Sequence, residues 1–175
     1  IQPGTEAPDF SLPGIDGKTH SLGTCKDAKV LVIAFICNHC PYAQAVWPRL
    51  VQLQEKYMDK GVQFVGINSN VNNPEYEEET FEKMKEYAAK FKMNFPYLAD
   101  DSQETAKAYK AQCTPDIYVF DDERKLVYHG RVDDNWKDPA SVTKHELDDA
   151  LAALVKEDKP AEDQYPTIGC SIKWK

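Results

Sequence analysis

The feature that most constrains the fold is an uninterrupted apolar run, residues 30–36, which leads directly into a pair of cysteines. The run reads Val-Leu-Val-Ile-Ala-Phe-Ile and contains no polar position. Such continuity is typical of a central strand that is covered on both faces. Beyond it, apolar residues recur at helical spacing as far as Tyr57, which predicts an amphipathic helix over about 40–59. Cys37 and Cys40 therefore lie where a buried strand passes into the N-terminus of a helix.

This position of the two cysteines favours redox chemistry. Unpaired backbone N–H groups and the helix macrodipole stabilise negative charge at a helix N-terminus. A thiolate carries such a charge, and it is the nucleophile of thiol–disulfide exchange. His39, between the cysteines, is a candidate for the cation that favours a thiolate, although a solvated loop histidine with no such role fits the pattern as well. The alternative for Cys37 and Cys40 is a pair of buried structural thiols.

The cysteine spacing argues against metal and haem sites. A zinc site needs a second ligand pair at ordinary spacing, and the chain has none. Haem attachment needs a histidine after the second cysteine, where the sequence has Pro41. The sequence therefore predicts no metal and no organic cofactor.

The order of strand, Cys-x-x-Cys and helix resembles the thioredoxin superfamily. The opening segment 3–10, Pro-Gly-Thr-Glu-Ala-Pro-Asp-Phe, is similar to the N-terminal motif of its redoxin branch. That branch holds thiol–disulfide oxidoreductases and the alkyl hydroperoxide reductase/thiol-specific antioxidant group. Residues 113–116, Cys-Thr-Pro-Asp, followed by the apolar run 117–120, resemble the family's cis-proline loop and third core strand. The resemblance extends from residue 3 to about 156.

The resemblance implies a thiol–disulfide oxidoreductase in which Cys37 attacks the substrate and Cys40 resolves the mixed disulfide. It also implies a cis-proline packed beside the cysteines and an open groove in which backbone groups bind an extended substrate. The implied partners are protein thiols and disulfides, with an upstream electron donor or acceptor. The supporting residues implied are Asn38, His39, Thr114 and Pro115.

The implied fold class is α/β: a thioredoxin-like fold whose central mixed sheet is flanked by helices, with an N-terminal hairpin and an inserted helix–strand. Residues 1–156 are predicted to form this domain, and 157–175 a linker and a tail. The sequence patterns predict strands at 9–12, 19–22, 62–67, 95–98, 117–120 and 125–129, and helices at about 75–92, 101–109 and 143–154.

The tail is unusual because it follows a charged linker and yet alternates like a strand. Ile168, Cys170, Ile172 and Trp174 occupy one side, with small or polar residues between them. This pattern predicts an extended segment that packs back on the domain. Cys170 is then either a small buried hydrophobic residue or a third redox thiol. In the second case Cys37 and Cys113 are the thiols within its reach.

One feature departs from the family pattern, and two alternative functions remain open. Strand 30–36 lacks the buried acid that accepts the proton of the second cysteine in thioredoxins. A peroxiredoxin-like peroxide reductase, with an antioxidant function, is an alternative, but neither Cys37 nor Cys40 fits Pro-x3-Thr/Ser-x2-Cys. A copper-handling module is a further alternative, since thiolates and a nearby histidine bind copper. The family's copper-assembly members, however, space their cysteines by three residues.

Charge and hydropathy exclude other classes of partner. The formal net charge is −8 and the lysines are scattered among acids, which argues against nucleic acid and anionic membranes. No apolar stretch approaches the roughly 18 residues that a membrane span needs. We expect a monomer. The chain begins at Ile1, from which we expect that an upstream segment was removed, with either a cytoplasmic or a periplasmic location.

Overall fold

A five-stranded mixed sheet forms the centre of the protein; the computed structural model describes residues 1–175. The strands are β1 (Ser11–Pro13), β2 (Thr19–Ser21), β3 (Val30–Phe35), β4 (Val62–Asn68), β5 (Tyr97–Ala99), β6 (Cys113–Thr114), β7 (Asp116–Phe120), β8 (Leu126–Gly130) and β9 (Cys170–Ser171). The helices are α1 (Pro41–Tyr57), α2 (Phe81–Lys90), α3 (Glu104–Tyr109) and α4 (Glu146–Val155), with short 3-10 turns at Gly23–Cys25, Met58–Lys60 and Pro139–Ser141. None of these helices is both long enough and apolar enough to cross a membrane.

Strand β3 lies at the middle of the sheet, whose order is β5-β4-β3-β7-β8. It runs parallel to β4 and antiparallel to β7. Every residue of β3 is buried, and alternate side chains enter two separate apolar clusters on the two faces of the sheet. One cluster includes residues of α1, α2 and α4, and the other includes α3 and the N-terminal hairpin β1–β2. The predicted architecture, a mixed sheet flanked by helices, is confirmed.

Helix α1 begins directly after Cys40, which is its N-cap residue. Pro41 occupies the first helical position, where its fixed φ suits the helix and its missing N–H costs nothing. Trp47 and Leu50 are fully buried on its apolar face. The sequence of this segment thus fixes where the helix begins, and with it the position of the second cysteine.

Helix α2 is shorter than predicted. It begins at Phe81 rather than near residue 75, and the Thr80 side chain caps it by accepting a hydrogen bond from the Lys83 amide at 3.1 Å. The predicted first turns, residues 75–79, instead form a loop. This loop places a buried acid, Glu79, near the cysteines. The hydrogen bonds that Glu79 accepts there take the place of those that a further helical turn would make.

The tail runs over the domain in extended form, and β9 pairs antiparallel with β6. Ile172 is buried, and its amide donates to the Gln112 carbonyl at 2.9 Å. The predicted single apolar side is only partly covered, however. Ile168 and Trp174 remain 57% and 43% exposed. The domain therefore covers only the middle of the alternating segment.

Candidate active site

The two thiols of the Cys-x-x-Cys segment lie together at the junction of β3 and α1. Both residues are fully buried. The Cys37 Sγ is 3.3 Å from the Thr114 Oγ1, and the Cys40 Sγ is 3.6 Å from the Thr114 carbonyl oxygen. The Thr114–Pro115 peptide bond is cis, as the resemblance implies. The structure thus brings together four of the residues singled out from the sequence.

Negative charge is favoured on Cys40 rather than on Cys37. The neighbouring Cys37 thiol favours a thiolate on Cys40 and, with a smaller contribution from Cys170, lowers the pKa of Cys40 well below its usual range. The pKa of Cys37 is raised because Cys40 is nearby, because Cys37 is buried, and because the charge of Glu79 is nearby. This distribution differs from the expectation that helix-end stabilisation acts on Cys37. The main cause is the Cys37 thiol, which favours a thiolate on Cys40.

His39 and Asn38 both bind the loop that precedes α2. The His39 ring donates from Nδ1 to the Glu79 carboxylate and stacks on Tyr76, with ring centroids 5.4 Å apart. The Asn38 side chain donates to the Glu78 carbonyl at 2.8 Å and accepts from the Tyr97 hydroxyl at 2.8 Å. His39 therefore acts through Glu79 in this structure, and its ring contact is to that carboxylate rather than to a thiol.

Glu79 is a candidate site residue that the sequence did not directly indicate. Its side chain is fully buried. One carboxylate oxygen accepts hydrogen bonds from the Asn38 backbone N–H at 2.9 Å and from the Asn68 side-chain amide at 3.2 Å. The other accepts from the His39 amide at 3.3 Å and from the His39 ring. Strand 30–36 has no acid, whereas this loop places one near the pair, and its charge acts on Cys37. The signal that would have found it is Thr80, a favourable N-cap residue just before an apolar periodic segment.

One cluster has the composition of a metal site. The ligand atoms of Cys37, His39 and Glu79 lie within 4.8 Å of one another. Both Glu79 oxygens, however, already accept two hydrogen bonds each. A metal ion would have to displace these bonds inside a buried site, where unpaired donors are costly. The donor set therefore fits a hydrogen-bond network that positions the loop before α1 better than it fits a metal centre.

Replacing Glu79 with glutamine tests this network. An amide NH₂ cannot accept from His39, so we expect the free energy of unfolding to fall by about 1–3 kcal/mol. Loss of the negative charge should also lower the pKa of Cys37, because that charge disfavours the thiolate. At a given pH below the pKa, more of Cys37 is then ionised. Site-resolved alkylation of Cys37 should therefore reach its midpoint at a lower pH than in the wild type.

The control for this variant is Glu77→Gln, which removes a charge from the same loop at an exposed position. It should leave both the stability and the alkylation profile unchanged. An alkylation midpoint in Glu79→Gln that matches the wild type would exclude Glu79 from tuning Cys37.

The groove beside the cis-proline is filled by the protein's own tail, which contradicts the expectation of an open groove. Thr114 pairs with Cys170 in the β6–β9 ladder and is only 2% exposed. The Thr167 hydroxyl donates to the Pro115 carbonyl at 2.7 Å. Gly169 approaches so closely that a Cβ atom there would lie 2.1 Å from the Thr114 carbonyl oxygen. The backbone groups predicted to bind an extended substrate are therefore occupied by residues 167–171.

Cys113 and Cys170 differ in their access to the pair. Cys170 lies opposite Thr114, whereas Cys113 lies opposite Ser171 in the same ladder. Neighbouring residues of a strand point to opposite faces, so Cys113 faces away from the side that carries Thr114 and Cys170. Burial and the charge of Asp116 raise the pKa of Cys113. The geometry therefore favours Cys170 over Cys113 as a third thiol.

These features define the class of thioredoxin-like proteins: a cysteine pair at a strand–helix junction, facing a cis-proline loop in a mixed sheet. The family model described as Redoxin matches residues 2–151. The chain belongs to the redoxin family. This confirms the predicted family and its oxidoreductase class.

Known relatives agree with this assignment. The thioredoxin-like protein YneN of Bacillus subtilis (strain 168) is 30% identical over 123 residues, which are 70% of this chain and 68% of that protein. The thiol-disulfide oxidoreductase ResA of Bacillus thuringiensis (strain Al Hakam) is 25% identical over 127 residues, 73% of this chain and 68% of its own. The crystal structure of an uncharacterized conserved protein from Geobacillus kaustophilus superimposes with a TM-score of 0.94 at 46% identity, covering 99% of this chain and 93% of that one.

Proposed function

We propose that this protein exchanges disulfides with protein substrates through Cys37 and Cys40. The observation that carries the proposal is that the Cys37 and Cys40 sulfurs, at the junction of β3 and α1, both lie against Thr114, at 3.3 Å from its hydroxyl and 3.6 Å from its carbonyl oxygen. Two thiols that share one neighbouring residue can close and reopen a disulfide with little backbone movement. Cys37 attacks the substrate disulfide, the role that the resemblance assigns to it, and Cys40 resolves the mixed disulfide.

The substrate class is a protein segment in extended conformation. Thr114 offers backbone groups that pair with an extended strand, and in the resting protein they pair with Cys170. An incoming segment would use the same main-chain hydrogen bonds, which is the general way in which a strand adds to an exposed edge. The tail must therefore leave before a protein substrate reaches the buried thiols. The name of ResA, a thiol-disulfide oxidoreductase, supports the same type of exchange here.

A redox titration of the wild-type protein against glutathione tests this function. The fraction of molecules with a Cys37–Cys40 disulfide is read by mass spectrometry after acid quenching and alkylation. We expect a reversible two-electron transition at a potential more positive than thioredoxin's value of about −270 mV, because stabilising a thiolate stabilises the reduced state. Absence of a reversible Cys37–Cys40 disulfide at every glutathione ratio would contradict the proposal.

A further inference from the structure

The tail brings a third cysteine next to the cysteine pair. Cys170 pairs with Thr114, whose hydroxyl lies 3.3 Å from the Cys37 sulfur and whose carbonyl oxygen lies 3.6 Å from the Cys40 sulfur. Cys170 further packs against the apolar cluster that contains both Cys37 and Cys40. Cys170 of the C-terminal tail and both cysteines of the pair therefore lie around one residue, Thr114.

The backbone holds this arrangement in register. Cys170 lies directly opposite Thr114, so its side chain is on the face of the β6–β9 ladder that meets the cysteines. On either side of it, the Thr167 hydroxyl is bonded to the Pro115 carbonyl, and the Lys173 amide donates to the Asn70 side chain at 2.8 Å. A slip of one residue would turn Cys170 away from Cys40. The anchors thus fix Cys170 as the tail residue that meets the pair.

We propose that Cys170 is a third redox thiol, an inference that rests on the proposed function. Cys170 exchanges with the Cys37–Cys40 disulfide and forms a Cys40–Cys170 disulfide. The Cys37–Cys40 disulfide forms first, when a substrate disulfide takes up two electrons from these two thiols. The Cys170 sulfur then loses its proton and attacks the Cys40 sulfur. The Cys40–Cys170 bond forms, the Cys37–Cys40 bond breaks, and the electron pair leaves on the Cys37 sulfur, which takes up a proton. No further oxidant is needed.

The charges around Cys170 suit this order of events. In the reduced protein, burial and the hydrogen bond and charge of Cys40 raise the pKa of Cys170. Once Cys40 is part of a disulfide it carries no charge, so the contribution of Cys40 is removed. The Tyr42 amide and the Lys173 ammonium, which both favour the Cys170 thiolate, remain. Cys170 therefore becomes a better nucleophile when there is a disulfide for it to attack.

The Cys40–Cys170 disulfide acts as a latch, a covalent bond that holds the tail over the groove. A Cys40–Cys170 disulfide ties the tail across the groove and leaves Cys37 as a free thiol. The oxidising equivalent is kept within the protein while the groove is closed to protein substrates. A small thiol reductant, or Cys37 itself, reopens the latch by attack on the same disulfide.

Disulfide mapping of the full-length chain tests the proposal. The reduced protein is oxidised with glutathione disulfide, alkylated, digested and mapped by mass spectrometry without reduction. In the wild type we expect the Cys40–Cys170 disulfide in at least about one tenth of the molecules. The ratio of Cys37–Cys40 to Cys40–Cys170 is then about ten, which corresponds to a free-energy difference of about 1.4 kcal/mol. In Cys37→Ala we expect it to be the main intramolecular disulfide. Cys113→Ser is the matched control in the neighbouring register position and should give the wild-type pattern.

Two results would overturn the inference. One is a wild-type map that contains only Cys37–Cys40 at every oxidant ratio. The other is Cys37→Ala protein in which Cys40 and Cys170 are both alkylated after oxidation. Failure of the proposed function is distinguishable, because it would appear in Cys170→Ser as the absence of any Cys37–Cys40 disulfide. Should Cys37→Ala fail to fold, the wild-type map decides alone.

Discussion

Cys37→Ser loses all catalysis of insulin disulfide reduction by dithiothreitol, and the rate falls to that of the uncatalysed reaction. A hydroxyl is not a nucleophile toward a disulfide under these conditions, so no mixed disulfide forms. Cys40→Ser fails differently. Cys37 still attacks, but the resolving thiol is missing, and the substrate remains attached to Cys37. Mass spectrometry of the quenched reaction should show this adduct in Cys40→Ser and not in Cys37→Ser.

The double variant Cys40→Ser/Cys170→Ser is the control for this experiment, because it removes the other thiol that can resolve an adduct. It should accumulate the adduct at least as far as Cys40→Ser. Full turnover by Cys40→Ser would show that the two roles are assigned wrongly. So would an adduct that forms on Cys40 in Cys37→Ser, since the negative charge that the resting structure favours on Cys40 would then also decide which sulfur attacks.

The core of the fold was predictable because its sequence signal is local and redundant. Strand β3 is buried on both faces, and it therefore reads as an unbroken apolar run. The cap position of Cys40 follows from Pro41, which suits the first turn of a helix and little else in its neighbourhood. A strand, a cysteine pair and a helix in this order leave few alternatives to the observed arrangement.

The position of Glu79 was not predictable from the same kind of signal. Acidic residues at 75–79 are typical of the first turns of a helix, where the macrodipole favours them. In the structure they precede the helix, because Glu79 bonds to Asn38 and His39, about 40 residues earlier in the chain. A contact between residues so far apart leaves no periodicity to read. Only the cap residue Thr80 carried a local sign of where the helix begins.

The tail was predictable in its conformation and only in part in its packing. Alternation of apolar and small residues indicates an extended segment, but it does not identify the surface that covers it. The domain covers Ile172 and part of Cys170 and leaves Ile168 and Trp174 largely exposed. That residues 167–171 would occupy the substrate groove depends on their register against Thr114, which the tail sequence alone does not specify.

Gly169→Ala should release the tail from the groove. The added Cβ would lie 2.1 Å from the Thr114 carbonyl oxygen and 2.7 Å from its carbon, and neither atom can move away by changing a rotamer. Overpacking of this kind typically costs about 1–3 kcal/mol. Since about 1.4 kcal/mol corresponds to a factor of ten, we expect native-state alkylation of Cys40 and Cys170 to accelerate by roughly tenfold or more.

The same variant should change the chemistry of the pair. Cys40 loses the contribution by which Cys170 lowers its pKa, so the pKa of Cys40 should rise toward the usual range. The Cys40–Cys170 disulfide should disappear from the map of the oxidised protein, while Cys37–Cys40 remains. The first turnover with a protein disulfide should become faster, because the backbone groups of Thr114 are then free to pair with the substrate.

Ser171→Ala is the matched control, because it alters an exposed side chain of the same short strand without adding an atom near Thr114. It should leave the alkylation rates, the pKa of Cys40 and the disulfide map as they are in the wild type. If Gly169→Ala matched this control in all three measurements, the tail would be shown not to block the groove in solution. If Gly169→Ala opened the thiols to alkylation but did not accelerate the first turnover, the tail would cover the pair without competing with substrate. In that case the pairing of Cys170 with Thr114 would serve the internal disulfide alone.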